Sequence, residues 1–438
     1  ALGEARGIVV AAPASGSGKT VVTLGLLRAL AKAGITVASA KAGPDYIDPR
    51  FHAAATERPC PNIDVWAMRP GLVDRLCGEV AEDSELFVVE GVMGLFDGAE
   101  GGQGSTADIA AHLGLPVVLV VDARAQAHSA AALVKGFAEF RKDCRVGGVI
   151  FNRVASARHE SVLRSALAPL GIPVIGAVRQ TAGLELPSRH LGLVQAEEVK
   201  GLEDFLDRAS GLVTEGLDMA LLRGVARPPQ AGLGAGVKPL APLGQRIAVA
   251  ADAAFGFAYP HILEGWRALG AEISTFSPLA DEAPREAADA VFLPGGYPEL
   301  HAGRIAANEA FLGGLRSARD RGTLIYGECG GYMVMGEVLI DREGQAHAMA
   351  GLLPSSTSFA ERRLQLGYRY LNHDGVLPWP KSLTGHEFHF STLSSQGGGD
   401  SLFQVADSGG RQIGPMGERI GRVMGSYAHV IDACSRAA

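Results

Sequence analysis

Two stretches of the chain hold side chains whose types and spacing could do chemistry. Residues 12–20 read APASGSGKT, after an apolar run and ahead of a helical pattern. In that setting a Gly-rich turn aims backbone N–H groups at phosphate oxygens. Ser15, Gly16, Ser17 and Gly18 make the turn, Lys19 is spaced to reach the outer phosphates of a nucleotide, and the Thr20 hydroxyl is placed to coordinate Mg2+. Pro13 stands where the GxxxxGK(S/T) pattern has its first glycine, and the competing reading is a plain strand-to-helix turn with a surface lysine.

Other polar residues fall at strand ends. In KAGPDYIDPRFH (residues 41–52), Lys41, Asp45 and Asp48 follow a second strand at its carboxyl end, where open α/β sheets bind ligands, which suggests metal and phosphoryl work. Glu90 stands alone at the tip of LFVVE and is a Mg2+ ligand candidate, with Asp97 on a Gly-flanked loop beyond it. Helix capping or surface charge is the alternative for Asp45 and Glu90. Asn152, ending VIFN, either faces a nucleotide base or serves as a turn residue.

The second stretch, residues 324–331, reads LIYGECGG, an apolar strand and a cramped turn before a helical segment. This is a nucleophile elbow with Cys329 in the serine's place, flanked by Gly327 and Gly330. A helix N-terminus there would favour the thiolate. Upstream, VFLPGG ends a strand in Gly295 and Gly296, whose N–H groups could join that of Gly330 in an oxyanion hole. His429, 100 residues after Cys329 and near a strand end, is the general base chosen from twelve histidines. GHEFHFS (residues 385–391) is not read as a metal site, because on a strand His386 and His389 point to opposite faces. A substrate-facing or interdomain strand is the expectation for it.

The elements that must position these groups alternate from residue 7 onward, GIVVAA, ITVASA, LFVVEG, PVVLVVDA and GGVIFNRV being separated by helical patterns. Runs apolar on both faces predict a mostly parallel, doubly wound sheet. In the first helix Val22, Leu26, Leu27 and Leu30 form one stripe, and Gly34 supplies the stop. A chain of 438 residues exceeds one ordinary core, so two α/β domains are expected, at 1–226 and 245–438. Between them lies an exposed Pro/Gly-rich linker, 227–244.

With 47% apolar and 20% charged residues and a net charge of -7 without basic blocks, the chain is globular and suits neither nucleic acid nor an anionic membrane. No apolar run reaches the roughly 18 residues of a membrane span, and the first residues carry no basic leader, so a cytoplasmic location is expected. Five scattered cysteines without a CxxC pair argue for a working thiol rather than disulfides or zinc.

In order and across essentially the whole chain, APASGSGKT, KAGPDYIDPRFH, VEGVMGLFDG, LPGGYPEL, YGECGGYM and GHEFHFS resemble the motifs of the cobyrinic acid and hydrogenobyrinic acid a,c-diamide synthases. The resemblance implies a dethiobiotin-synthetase-like ATP domain followed by a class I, triad-type glutamine amidotransferase domain. It implies ATP and Mg2+ as cofactors, with corrinoid macrocycle, glutamine and ATP as partners, and leaves room for a homodimer. Two carboxylates would be activated as acyl phosphates and converted to amides by ammonia from glutamine. Cys329 and His429 would hydrolyse glutamine, with the oxyanion on Gly295, Gly296 and Gly330. Lys19, Thr20, Asp45 and Glu90 would serve phosphates and Mg2+, and Lys41, Asp48 and Asp97 the reacting carboxylate. Such triads usually carry a Glu two residues after the histidine, where this chain has Ile431. Ala, Gly and Arg richness hints at a GC-rich bacterial source and a metal-free macrocycle. The alternatives are a cobyric acid synthase, or a switch ATPase with an idle second domain.

Overall fold

The apolar runs of the first half pair into one parallel sheet. Its strands are β1 (Arg6–Ala11), β2 (Val37–Ala42), β3 (Asn62–Ile63), β4 (Leu86–Glu90), β5 (Val117–Asp122), β6 (Val146–Val154) and β7 (Val174–Arg179). They lie in the order β3-β2-β4-β1-β5-β6-β7, with every pairing parallel. In-register pairing sets Lys41 opposite Glu90, and Val10 opposite Glu90, which gathers the carboxyl ends of β1, β2 and β4. The computed structural model describes residues 5–186, 196, 199–230, 236–395 and 397–435. Among these, no helix is long and apolar enough to cross a membrane.

Helix α1 (Lys19–Lys32) buries more than the expected stripe: Thr23, Leu24, Gly25 and Ala29 are covered as well. A Cβ on Gly25 would lie 2.6 Å from the Ala209 carbonyl oxygen, so the helix Leu202–Gly216 covers its outer side at backbone distance. Helix α2 (Asp48–Thr56) starts on Asp48-Pro49, with the fixed φ of proline suiting its first turn.

Two units are separable, Ala1–Trp66 with Pro70–Val237, and Ala67–Arg69 with Lys238–Ala438. Residues 67–69 go with the second because the Arg69 backbone and guanidinium donate to Asp432 at 2.8–2.9 Å. The Pro/Gly-rich stretch is not solvated throughout. Arg227 exchanges backbone hydrogen bonds with Gly7, whereas Leu240 and Leu243 are buried in the core of the second unit. Residues 231–235 of the expected linker lie outside the described residues.

The second unit is richer in strands than the alternation suggested. Its six-stranded sheet has the order β20-β21-β11-β10-β8-β9, from β8 (Arg246–Ala250), β9 (Glu272–Phe276), β10 (Ala290–Leu293), β11 (Leu324–Glu328), β20 (Glu418–Ile420) and β21 (Val423–Ser426). A four-stranded sheet holds β12 (Val338–Ile340), β13 (Ala346–Ala348), β14 (Ser355–Ser358) and β17 (Thr392–Ser395). A five-stranded antiparallel sheet holds β15 (Gln365–Asn372), β16 (Ser382–His389), β18 (Phe403–Asp407), β19 (Gln412–Met416) and β22 (Ala428–Ala433). Trp266, Phe292, Tyr326, Leu371, Trp379, Leu383 and Phe403 pack between the six- and five-stranded sheets. Each such side chain contributes roughly 1.5–3 kcal/mol by leaving water. Only Tyr427 separates β21 from β22, so the chain crosses between sheets there and delivers His429.

Candidate active sites

In the first unit the Gly-rich turn folds as its sequence requires. Gly16 and Gly18 sit at φ 80° and 84°, a region that favours glycine, and a Cβ on Gly18 would lie 2.1 Å from Asn152 Nδ2. Ser15 is exposed, whereas Ser17 is buried and donates its hydroxyl to the Ala14 carbonyl at 2.7 Å. Asn152 donates its amide to the Ser17 carbonyl at 3.0 Å, so that nitrogen is committed to bracing the loop. Arg153, which sequence reasoning missed, donates to the Gly16 carbonyl at 2.7 Å and pairs with Asp122 at 2.6 Å. The in-register pairing of Asn152 with Asp122 brings Arg153 to that carboxylate, a relation that appears only once the strands are ordered.

Around the loop the charges interlock. The Thr20 hydroxyl donates to Glu90 Oε1 at 2.6 Å and lies 3.3 Å from Asp48 Oδ2. The Lys41 ammonium donates to Asp48 at 2.6 Å and sits 3.4 Å from Glu90. Lys19 Nζ reaches the Met93 carbonyl at 3.5 Å, and burial followed by Lys41 lowers its pKa. Burial works against the charge on Lys41, but Asp48, Glu90 and Asp45 outweigh it and raise its pKa. For Glu90 burial works upward and is overcome by Lys41 and His52, so it stays ionised well below the usual range. Burial, then Asp45, push Asp48 up to about 6 against the pull of Lys41.

Three expectations change here. Glu90 does not stand alone: it is fully buried and bonded to His52 Nε2 as well as Thr20, because a carboxylate sealed at a strand tip needs partners. His52 was legible only as the residue one helical turn past Asp48. Asp45 turns Oδ1 to the amides of Ile47 and Asp48 at 2.7 and 3.1 Å, bracing the turn that leads into α2, and it is Asp48 that stands beside Thr20. Asp97 accepts the Gly94 amide at 2.9 Å within its own loop. Among the described residues no group of three or more His, Cys, Asp or Glu is arranged to hold a metal ion by itself. A hydroxyl and one or two carboxylates still suit Mg2+, which takes its remaining oxygens from phosphates and water.

In the second unit, strand β11 ends in a strained turn. Cys329 sits at φ 47°, ψ −111°, a conformation worth of order 1–3 kcal/mol of strain for a non-glycine residue. The turn fits because its neighbours are small: a Cβ on Gly327 would lie 2.3 Å from Met335 Sδ, and one on Gly331 1.9 Å from the Leu293 carbonyl oxygen. The spot a Cβ on Gly295 would take is 2.4 Å from His429 Cε1 and 3.2 Å from Cys329 Cβ, so thiol and imidazole border one small space. A Cβ on Gly330 would be 3.0 Å from the Gly296 nitrogen, so these two amides border the same turn.

The electrostatics differ from the expectation of a thiolate. Cys329 is 4% exposed. Burial, then the Glu299 carboxylate, push the thiol up, against the Gly330 N–H that bonds it. The following helix, Gly330–Met335, has six residues, too few for a strong dipole. His429 is buried and pushed down to about 3 by desolvation, then by His386 and His389. The resting pair is therefore neutral thiol and neutral imidazole. Residues 385–389 of the GHEFHFS segment lie in β16, as expected of a strand, and the Phe388 carbonyl accepts the thiol at 3.6 Å. His386 pairs across the strands with His429, while His389 bonds Glu387 at 2.8 Å and stacks on Tyr427 at 3.9 Å.

The two sites together define a class in which a phosphate-loop unit and an acyl-transfer thiol unit share one chain. Residues 8–194 match the CobQ/CobB/MinD/ParA nucleotide binding domain, and residues 246–436 match the CobB/CobQ-like glutamine amidotransferase domain. The hydrogenobyrinate a,c-diamide synthase of Brucella suis is 56% identical over 99% of this chain and 100% of its own. Those of Rhizobium meliloti and Mesorhizobium japonicum are 52% and 47% identical, each over 98% of this chain and 99% of their own. The chain belongs to the hydrogenobyrinate a,c-diamide synthase family.

Proposed function

We propose that the chain converts the a and c carboxylates of hydrogenobyrinate into carboxamides, with ATP as activator and glutamine as nitrogen donor. The observation that carries this is the common space bordered by Gly295, Cys329 and His429, in a chain that also folds a Gly-rich phosphate loop braced by Asn152. Cys329 Sγ attacks the glutamine amide carbon as its proton passes to His429. The negative charge that develops on the amide oxygen is received by N–H groups of Gly295, Gly296 and Gly330. The protonated imidazole gives its proton to the leaving nitrogen, ammonia departs, and water releases glutamate from the thioester.

In the other unit the Gly-rich turn and Lys19 hold the nucleotide phosphates, and Lys41 with Asp48 orients the substrate carboxylate. That carboxylate takes the γ-phosphoryl group, giving an acyl phosphate, and ammonia then displaces phosphate to leave the amide. Thr20 and Glu90 would hold Mg2+, which supplies charge neutralisation on the phosphates when bound. Asp97 would serve this site by bracing its loop, whose Gly94 would place a Cβ 2.7 Å from the Pro13 carbonyl oxygen. Incubation with ATP, Mg2+, glutamine and either metal-free or cobalt-containing macrocycle, followed by mass spectrometry, tests the reading. A diamide from the metal-free macrocycle is expected; no diamide from either would overturn it.

A further inference from the structure

The residue before the nucleophile is a buried acid that the glutaminase chemistry above leaves unused. Glu328 is 5% exposed, and its Oε2 accepts two hydrogen bonds, from the Tyr326 hydroxyl at 2.8 Å and from the Val430 backbone N–H at 2.8 Å. Val430 follows His429 directly. Aromatic rings of Tyr259, Trp266, Phe292, Tyr326 and Trp379 wall the small space around the carboxyl. The next residue, Ile431, is apolar and 1% exposed, and its carbonyl accepts His261 Nε2 at 2.7 Å. Two further bonds pin the crossing that precedes the histidine: Cys329 N–H to the Ser426 carbonyl at 2.8 Å, and Ala428 N–H to Ser426 Oγ at 3.1 Å.

From this we infer that Glu328 is the positioning residue for His429, gripping the main chain beside the histidine where a triad would use a carboxylate on the imidazole. The inference rests on Cys329 and His429 being the glutaminase pair. Hydrogen bonding, not charge, is the role. Burial pushes the carboxyl up to about 8, so at neutral pH it is largely the neutral acid, and a glutamine side chain can accept both bonds on one oxygen.

The test measures glutamine-supported and ammonia-supported amide synthesis on the full chain. Glu328→Ala is expected to lower kcat for glutamine on the order of 100-fold, the scale of a misplaced catalytic group, with little change in KM. The ratio of ammonia-supported to glutamine-supported synthesis rises accordingly. Glu328→Gln restores most of the loss, and Tyr326→Phe, which removes one hydroxyl without changing shape, falls between. Unchanged kcat in Glu328→Ala overturns the inference, as does an equal loss in Glu328→Gln, which would mean the charge is needed. A parallel fall in both nitrogen sources would mark a folding defect and also overturn it. If Glu328→Ala does not fold, unchanged kcat in Tyr326→Phe is the overturning result. Glutamine turnover that persists in Cys329→Ser would instead sink the underlying reading; its loss there with full activity in Glu328→Ala sinks this inference alone.

Discussion

The Thr20 hydroxyl donates to Glu90 Oε1 at 2.6 Å, joining the first turn of α1 to the tip of β4. A hydroxyl that follows the phosphate-loop lysine and a carboxylate on the adjacent strand thus share one point. Glu90→Gln keeps the volume and removes the charge. ATP consumption should fall at least on the order of 100-fold, since stabilisation of phosphoryl charge is largely electrostatic. Phosphate release in the presence of macrocycle and ammonia measures it, and near-normal turnover would remove Glu90 from the site.

His52 is completely buried against Glu90, and with burial opposing it, Cys60 and Glu90 raise its pKa to about 10. The imidazole is therefore cationic at neutral pH. His52→Ala leaves Glu90 short of a countercharge, and losing one partner of a buried ion pair costs about 3–5 kcal/mol. Denaturant unfolding should show that loss in the transition of the first unit. A change below about 1 kcal/mol would mean that Lys41 alone compensates the carboxylate.

Much of this arrangement was readable before the fold was seen. The phosphate turn and elbow declare themselves because glycine positions, strand ends and helix starts are local properties, visible within ten residues. Lys41 and Glu90 could be placed at strand ends, yet their adjacency needed strand order, which no local pattern encodes. His52 and Arg153 were missed for that reason: each becomes functional through a residue far along the chain. The four- and five-stranded sheets of the second unit were missed because several of their strands are short or polar, as in SSTS of β14 and QIGPM of β19. The thiol's resting state was misjudged because burial depth, invisible in sequence, outweighs a short helix's N-terminus.

Gly295 is the point of the thiol site at which an added side chain would meet the imidazole itself. Gly295→Ala would set a methyl group 2.4 Å from His429 Cε1, far inside contact distance, so the imidazole must move from Cys329. Glutamine-supported synthesis should fall on the order of 100-fold while the ammonia-supported rate holds. Normal glutamine use in this variant would show that His429 is not the base.

The pH dependence follows from the direction in which burial drives His429. Desolvation lowers its pKa from 6.5 to about 3, so the native imidazole stays neutral and able to accept the Cys329 proton through the whole range above that value. At saturating glutamine, kcat should therefore show no acid-side fall between about pH 8 and about pH 6, where a base of ordinary pKa would already lose activity. Stability carries the opposite signature. Below about 6.5 the unfolded chain binds a proton on this histidine that the native chain refuses, so the unfolded state gains ground as pH falls toward about 3. His429→Gln has no proton to refuse, and its thermal midpoint should decline less steeply with acidification across that window. Parallel declines in the two proteins would show that the native imidazole titrates normally, and would return the proton-transfer step to an ordinary histidine.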